Sequence, residues 1–229
     1  MAYEAMNDLA LRFVSLEARS VLDLGCGSGA AGAFLKARQP CRVVGVTYDP
    51  EEAAAAAQRL DRVEVADLND FDPASLGTFD CILCSHVLEH LYKPQNLLRR
   101  LHDALKPDGT LIVALPNVLF WKQRLLFLRG RFRYTSGGLM DETHFRFFDC
   151  RTAAALPEGA EYEIVARASE GGFPLSRFLG RYLQTKLDSL CTGVFPGLFS
   201  WQFVMSCRSK LDGVRSGNPG SPAARNDVQ

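Results

Sequence analysis

The feature that most constrains this chain is the stretch VLDLGCGSGAAG at residues 21–32. Its apolar start predicts a short buried strand, and the alanine-rich residues that follow, to about Arg38, predict a helix. Glycines suit the turn between them because a residue without Cβ adopts positive φ and lets a ligand lie against the backbone. The start of the helix also offers unpaired N–H groups to a carboxylate or a phosphate. The stretch therefore predicts a cradle for a nucleotide-type cofactor.

Two kinds of cofactor fit this turn. The spacing Gly27-x-Gly29-x-x-Gly32 satisfies the dinucleotide fingerprint, which places a pyrophosphate at the helix N-terminus. The longer string Asp23-x-Gly25-x-Gly27-x-Gly29 places an acid at the strand end, where a pyrophosphate is repelled and a cationic ligand is tolerated. An oxidoreductase that uses NAD and an enzyme that uses a cationic cofactor are both open at this point.

Strands alternate with helices along most of the chain. Further apolar runs predict strands at residues 42–46, 62–66, 80–84, 110–115, 161–167 and 201–207. Asp49 and Pro50 mark the start of a helix after the second strand, as N-cap and first helical residue. This order predicts an α/β fold, a doubly wound, mostly parallel, seven-stranded Rossmann-like sheet with helices on both faces.

The length of 229 residues suits one α/β domain with insertions. We predict a single domain over residues 1–208, with a helix at 4–16 before the first strand. The aromatic and basic segment 116–148 follows the fifth strand, where such a sheet holds its ligand, and is predicted to form a lid. Residues 173–200 are predicted to be a helical insertion, and the polar, Gly- and Pro-rich residues 209–229 a disordered tail.

The charge balance excludes a strong general attraction to nucleic acid or membrane. Lysine plus arginine and aspartate plus glutamate both number 26. The amino terminus lacks the basic start and apolar core of a signal peptide, and no apolar run approaches the ~20 residues of a membrane span. A cytoplasmic protein is expected.

The seven cysteines are an odd number and are scattered along the chain. Cys81 and Cys84 form a CxxC pattern, which elsewhere indicates redox or zinc chemistry. Here they lie in a predicted core strand, where residues three apart face opposite sides. They are therefore predicted to be reduced structural thiols. The sequence shows no cluster with metal-ligand spacing, so no metal is expected.

Three strings, VLDLGCGSG, FDCILCSHVLEHL and LKPDGTLIVALPN, resemble class I S-adenosylmethionine (SAM)-dependent methyltransferases in their order and spacing. The resemblance covers about residues 21–117, with weaker similarity to Cys207, and favours the small-molecule branch of type 11 and 12 methyltransferases. The later segment GLMDETHFRFF, residues 138–148, resembles a segment found in a subset of that branch. SAM is the cofactor that this resemblance implies.

The resemblance also implies roles for residues that follow the strands. Asp23 is expected near the amino group of the methionine portion of SAM. Asp67 is expected to accept a hydrogen bond from the adenine amino group while the backbone of Leu68 meets the ring. Ser85 and His86 are expected beside the sulfonium and the methionine portion. The glycine turn is expected to border the methionine portion through Gly25, Cys26, Gly27 and Gly29.

One position departs from the family pattern. The family usually ends its second strand with an acid that binds the ribose hydroxyls, and this chain has Thr47 there, followed by Tyr48 and Asp49. A hydroxyl makes weaker hydrogen bonds than a carboxylate. Either Asp49 substitutes for the missing acid, or SAM binds more weakly, or the pocket holds another ligand.

Methyl transfer from a sulfonium is an in-line displacement in which charge disappears, so the enzyme mainly aligns the acceptor and excludes water. For a hydroxyl or ammonium acceptor a general base contributes ~10²–10⁴-fold. His144, in the lid near Asp141 and Glu142, is the first candidate, and His86 is the second. Both histidines also have plausible structural roles, and a carboxylate acceptor needs no base.

The interleaved arginines and aromatics of the lid have three interpretations. In the first, they recognise an anionic acceptor. In the second, they contact a membrane surface. In the third, the aromatics pack inward and the arginines stay solvated. Nucleic acid is not expected, because residues 85–88 lack the Pro-Pro-aromatic clamp of DNA amino-methyltransferases. The oligomeric state is not indicated.

The function expected from these features is methylation of a small molecule, at an oxygen of a secondary metabolite or a cell-envelope or sugar-type substrate. The alternatives are an NAD-type oxidoreductase that uses the Gly27-x-Gly29-x-x-Gly32 turn, and a catalytically inactive subunit that keeps the SAM fold and binds a partner.

Overall fold

The computed structural model of the protein describes residues 6–174 and 181–211. Most of the predicted tail, from residue 212 onward, lies outside the described residues, as do residues 1–5 and part of the predicted helical insertion.

Seven strands form one sheet in the order β3-β2-β1-β4-β5-β7-β6. The strands are β1 Ser20–Leu24, β2 Arg42–Thr47, β3 Arg62–Val65, β4 Phe79–Ser85, β5 Leu105–Pro116, β6 Tyr162–Gly171 and β7 Ser200–Ser209. The first five are parallel to one another, and β7 pairs antiparallel with both β5 and β6. The predicted α/β sheet is therefore confirmed, with its antiparallel pairs confined to one edge.

Helices connect these strands. The described helices are α1 Asp8–Leu11, α2 Ala30–Arg38, α3 Pro50–Ala56, α4 Pro94–Ala104, α5 Trp121–Leu128, α6 Cys150–Glu158, α7 Arg181–Val194 and α8 Pro196–Phe199, with 3₁₀ helices at Pro73–Leu76 and Leu88–His90. Proline begins several of them because its missing N–H is one that the first turn leaves unpaired anyway. None of the helices within the described ranges is both long and apolar enough to cross a membrane.

The core lies on both faces of the sheet because side chains alternate along each strand. One buried cluster joins Leu22 of β1 to Leu98 of α4, and the other joins the neighbouring Val21 to Leu35 of α2. Each fully buried leucine or valine contributes ~1.5–3 kcal/mol. With both faces covered, the central strands are held rigidly and only their ends are available to a ligand.

Residues 106–109, Lys-Pro-Asp-Gly, have the composition of a turn, but they lie within β5. Phe79 pairs with Leu105, but Cys81 pairs with Thr110, so β5 carries extra residues that form a bulge opposite β4. Asp108 absorbs the distortion with a φ of +61°. These residues remain part of the strand because pairing with β4 continues on both sides of them.

The chain after β4 forms two separate helical pieces, the 3₁₀ helix Leu88–His90 and α4. Pro94 accounts for the break because it disfavours helical backbone at the residue before it. The first helix is also shorter than predicted and begins after Asn7, whose side chain accepts a hydrogen bond from the Ala10 N–H. These interruptions place short loops beside the ends of β1 and β4.

Residues 116–148 leave the sheet after β5 and return to it. Their two ends meet where the Val118 N–H donates to the Phe148 carbonyl at 2.9 Å. Between them lie α5 and a mostly irregular segment. The N–H groups of Phe145 and Arg146 both donate to the carbonyl of Glu89, at 2.9 and 3.0 Å. The predicted lid segment is therefore attached to the loop that follows β4.

Candidate cofactor and acceptor site

The carboxyl ends of the parallel strands border a cavity of about 1560 Å³. It lies beside the boundary between β1 and β4. Strands β2 and β3 are added on one side of this boundary and β5 on the other, and open α/β sheets bind ligands at such a point. Its walls include the glycine turn, the ends of β2 and β4, the lid segment and residues of α1. The volume exceeds that of a typical single-ligand pocket, ~300–1000 Å³, so it accommodates a cofactor and an acceptor together.

The glycine turn has the backbone that its sequence predicted. Gly25, Gly27 and Gly29 have φ values of +73°, +51° and +83°. The N–H groups of Gly25 and Cys26 donate to the carbonyl of Val46, so the turn is fastened to β2. A Cβ on Gly25 would lie 2.0 Å from a methyl carbon of Val87. The position therefore requires glycine for its dihedral angle and for its space.

Asp23 lies at the end of β1, beneath this turn. It is only 3% exposed, and its Oδ2 has no hydrogen-bond partner. Burial raises its pKa to about 7. An unpaired buried carboxylate is unfavourable, and a cationic group in the adjoining cavity would compensate for it. The same carboxylate would repel a pyrophosphate, so this residue favours a cationic ligand over a dinucleotide.

The end of β2 carries Thr47 where an acid is usual, and a carboxylate lies beside it. Thr47 is buried, and its Oγ1 donates to Oε2 of Glu52 at 2.9 Å. Both line the cavity, as does the exposed Tyr48. Asp49 does not line it, because its carboxylate accepts a hydrogen bond from the Glu51 N–H and caps α3. Glu52, one helical turn further on, places a carboxylate at the cavity wall, and Asp49 does not.

Asp67 and Leu68, which follow β3, lie on the same wall of the cavity. Leu68 is buried in the core. Oδ1 of Asp67 accepts hydrogen bonds from the backbone N–H and side chain of Asn69, both at 2.9 Å. Asn69 also lines the cavity, and its own carbonyl accepts from Arg100. The predicted adenine contacts are therefore accessible from the cavity.

A polar network surrounds Ser85 and His86 at the end of β4. The Asn7 side chain donates to Ser85 Oγ at 3.1 Å and to Gln202 Oε1 at 2.8 Å. His86 places Nε2 2.9 Å from Gln202 Oε1 and Nδ1 3.2 Å from Glu89 Oε1. Asn7 and Gln202 line the cavity too. They come from the two ends of the described chain, and no local motif marked either of them.

The environment of His86 limits its use as a base. Burial lowers its pKa, but the hydrogen bond that it donates to Glu89 and the negative charge of Glu89 outweigh that effect, so the pKa lies above the usual value. Both ring nitrogens are engaged. Its φ of +54° is uncommon for a residue with a side chain, and its N–H donates to the Ala114 carbonyl. His86 is built to hold a fixed position beside the cavity.

His144 differs from His86. It lies in the lid segment with a buried Nδ1 that has no hydrogen-bond partner. Burial lowers its pKa, although the charge of Glu89 opposes the change. The ring meets His90 edge-on, with centroids 4.7 Å apart. A neutral imidazole with a free nitrogen can accept a proton or bind a metal ion.

Three of these groups also form a cluster that the sequence analysis missed. Side-chain ligand atoms of Glu89, His90 and His144 lie within 4.8 Å of one another. The sequence shows no cluster with metal-ligand spacing, and this grouping is visible only in the folded chain. Glu89 and His90 are adjacent, but His144 comes from the lid segment, and spacing along the chain gives no sign of this contact.

The lid segment contributes positive charge and aromatic surface. Lys122, Arg131 and Arg133 line the cavity. Phe132 and Tyr134 are 58% and 55% exposed, so the aromatics do not all pack inward. They contact each other edge-on instead, with ring centroids 5.5 Å apart. The cavity is thus acidic at Asp23 and basic on its lid side.

The CxxC cysteines lie away from this chemistry. All seven cysteines are free, and Cys81 and Cys84 are buried in the two different core clusters. Burial raises the pKa of Cys81 to about 12. They are structural thiols, as predicted.

Fold and site together define the class of this protein as a Rossmann-like domain with a nucleotide-type cradle for a cationic cofactor. A family model described as a methyltransferase domain matches residues 2–167. The chain belongs to this methyltransferase family, and the predicted class I assignment is confirmed.

Several curated proteins are similar in sequence. A trans-aconitate 2-methyltransferase of Azoarcus sp. is 38% identical over 116 residues, which cover 49% of this chain and 45% of the relative. A ubiquinone biosynthesis O-methyltransferase of Xanthomonas campestris is 31% identical over 125 residues, 49% of this chain and 51% of the relative. The chain thus spans about half the length of these two relatives.

Solved structures show the same fold. A SAM-dependent methyltransferase of Archaeoglobus fulgidus superimposes with a TM-score of 0.60 at 18% identity, over 83% of this chain and 86% of that one. A Burkholderia thailandensis 1,6-didemethyltoxoflavin-N1-methyltransferase, solved with its substrate and S-adenosylhomocysteine, gives 0.52 at 23% identity, over 84% and 71%.

Proposed function

We propose that this protein is a SAM-dependent methyltransferase that methylates an oxygen of a small-molecule acceptor. The observation that carries the proposal is the buried, unpartnered carboxylate of Asp23 beneath a glycine turn. SAM carries an ammonium and a sulfonium, so it suits this site where a pyrophosphate does not. The similar SAM-dependent proteins support the cofactor, and the O-methyltransferase among them supports an oxygen acceptor.

The residues at the strand ends would hold the cofactor as follows. Asp23 would pair with the ammonium, and the turn at Gly25 and Gly27 would lie against the methionine portion. Glu52, already accepting a hydrogen bond from Thr47, has its carboxylate at the cavity wall and would accept from the ribose hydroxyls. Bound SAM supplies an electrophilic methyl group, and the chain's task is to align an acceptor with it.

The acceptor would lie between His86 and the lid segment. The fixed position of His86 makes it a positioning residue, while His144, with its free nitrogen, would assist removal of the acceptor proton. Arg131 and Arg133 give this end of the cavity the charge to attract an acceptor with a carboxylate or phosphate. A secondary metabolite or a sugar-type envelope precursor with an acidic group fits this description.

Calorimetry tests the cofactor, with S-adenosylhomocysteine and NADH titrated into the purified protein. Micromolar binding of S-adenosylhomocysteine without binding of NADH is expected. Binding of NADH alone would overturn the proposal and favour an oxidoreductase.

A second test incubates the protein with methyl-labelled SAM and matched acceptor pairs, each with and without a carboxylate or phosphate. Transfer to a hydroxyl of the anionic member is expected. Cofactor binding without transfer to any member would instead support a binding subunit that has lost catalysis.

A further inference from the structure

We propose that Glu89, His90 and His144 bind a divalent cation at the acceptor end of the cavity. The existence of this site is independent of the proposed methyl transfer, but the catalytic role given to it below rests on that function.

The three side chains supply a suitable ligand set. Two imidazoles and one carboxylate bind Zn²⁺, Fe²⁺ or Co²⁺, with positions left open for water or substrate. Their ligand atoms lie within 4.8 Å of one another. Around a tetrahedral ion with bonds of ~2.1 Å, ligand atoms are ~3.4 Å apart, so a contraction of the order of an ångström completes the site.

Two of the ligands have unsatisfied buried atoms. Glu89 is fully buried, and its Oε2 has no hydrogen-bond partner. The Nδ1 of His144 is likewise buried and without a partner. Leaving a carboxylate oxygen and an imidazole nitrogen buried and unpaired is unfavourable. A cation between them would satisfy both atoms at once.

Neighbouring residues orient the ligands in the way metal sites require. His86 contacts the other oxygen of Glu89, Oε1, at 3.2 Å. The Nδ1 of His90 lies 3.2 Å from the Thr143 carbonyl, so a proton on that nitrogen leaves Nε2 free to bind a metal. Thr143 is held by Asp141, whose Oδ1 accepts from its hydroxyl at 2.6 Å. Such supporting hydrogen bonds fix tautomer and ring orientation.

The same ligands link two segments of the chain. Glu89 and His90 belong to the 3₁₀ helix after β4, and His144 belongs to the lid segment. The next two residues after His144 donate their N–H groups to the Glu89 carbonyl. A bound cation would strengthen an attachment that the backbone already makes.

In the proposed reaction the cation would polarise an acceptor hydroxyl, and His144 would act on the acceptor as a ligand of that cation. The hydroxyl proton would pass to solvent water, and the oxygen would use a lone pair to form the new O–C bond. The C–S bond of the sulfonium would break with its electron pair remaining on sulfur, giving a neutral thioether. The cation would keep its charge throughout.

The experiment uses Co²⁺ alone as the probe, titrated into the full chain and followed by its visible absorption. Variants His144→Ala and Glu89→Gln remove one ligand each. Glu142→Gln is the matched control, because Glu142 is an exposed lid acid that does not line the cavity. S-adenosylhomocysteine is titrated into the same samples, and thermal unfolding verifies that each variant folds.

Wild-type protein and Glu142→Gln are expected to bind one equivalent of Co²⁺ without a thiolate charge-transfer band. His144→Ala and Glu89→Gln are expected to bind at least ~10-fold more weakly. If Glu89→Gln does not fold, His144→Ala decides the test.

A wild-type protein that binds S-adenosylhomocysteine but no Co²⁺ up to millimolar concentration would overturn the cation site and leave the proposed function standing. Equal Co²⁺ affinity in His144→Ala would also overturn the site. A wild-type protein that binds one Co²⁺ but no S-adenosylhomocysteine would refute the proposed function and leave the cation site standing.

Discussion

The glycine cradle and the acceptor end of the cavity are built in different ways. In the cradle, a single stretch of twelve residues provides a strand, a turn and a helix start, and backbone hydrogen bonds to Val46 hold it in place. The acceptor end takes side chains from α1, β4, the lid segment and β7, joined by a polar network around His86 and Glu89. Cofactor binding therefore depends on local backbone geometry, and acceptor chemistry depends on contacts between distant segments.

Replacing one glycine by alanine in each region is expected to give the largest difference in the free energy of unfolding. Gly25→Ala is expected to cost about 3 kcal/mol in the free energy of unfolding and to abolish cofactor binding, because positive φ and collision with Val87 add together. Gly130→Ala in the lid segment has a similar φ, +66°, with nothing within 4 Å of its Cβ, so about 1 kcal/mol is expected. Chemical denaturation and calorimetry measure both. Equal losses would show that the close approach to Val87 is unimportant.

The next contrast concerns charge. Asp23→Asn is expected to weaken S-adenosylhomocysteine binding by ~100-fold, since the buried partner of the ammonium is lost. The ligand-free variant should be more stable than wild type at pH 8, by an amount of the order of 3 kcal/mol, and not at pH 4. The sign follows because the carboxyl has a folded-state pKa of about 7 and a lower unfolded-state pKa, so wild type loses stability as pH rises between them. Denaturation at the two pH values tests this. A variant less stable at pH 8 would contradict the burial argument.

A matched pair of acids tests the end of β2. Glu52→Gln is expected to weaken S-adenosylhomocysteine by ~10-fold, because a charged hydrogen bond contributes more than a neutral one. Asp49→Asn should change the affinity by less than ~2-fold, because asparagine caps a helix as well as aspartate does. Calorimetry with adenosine as a second ligand separates ribose recognition from the methionine portion. The reverse order of effects would return the ribose role to Asp49.

The smallest expected effect is on pH dependence. Asp23 must be ionised to pair with the ammonium, so affinity should fall as pH drops below its ligand-free pKa of about 7. Between pH 7.5 and pH 6 the dissociation constant of S-adenosylhomocysteine should rise by ~8-fold, with proton release on binding at the lower pH. Titrations in buffers of different ionisation enthalpy measure both quantities. A flat profile, or proton uptake, would contradict the assignment.

Sequence reasoning found the elements whose signals are local. The apolar runs, the glycine turn and the N-cap at Asp49 all depend on neighbours within a few residues, and the structure contains each of them. It failed where a residue's role depends on what packs against it. Asp49 looked suited to ribose because it is acidic and near the strand end, but capping α3 turned it away from the cavity, and the α3 geometry brought Glu52 there instead.

By itself, the sequence determined the α/β order, the cradle and the family, because strand and helix periodicity and glycine dihedrals are properties of short segments. Tertiary structure alone decided that Asn7 and Gln202 meet at Ser85 and His86, and that His144 joins Glu89 and His90. Asn7 lies 195 residues from Gln202, and His144 lies tens of residues from Glu89 and His90, so only the assembly of the sheet and the return of the lid segment bring these side chains together.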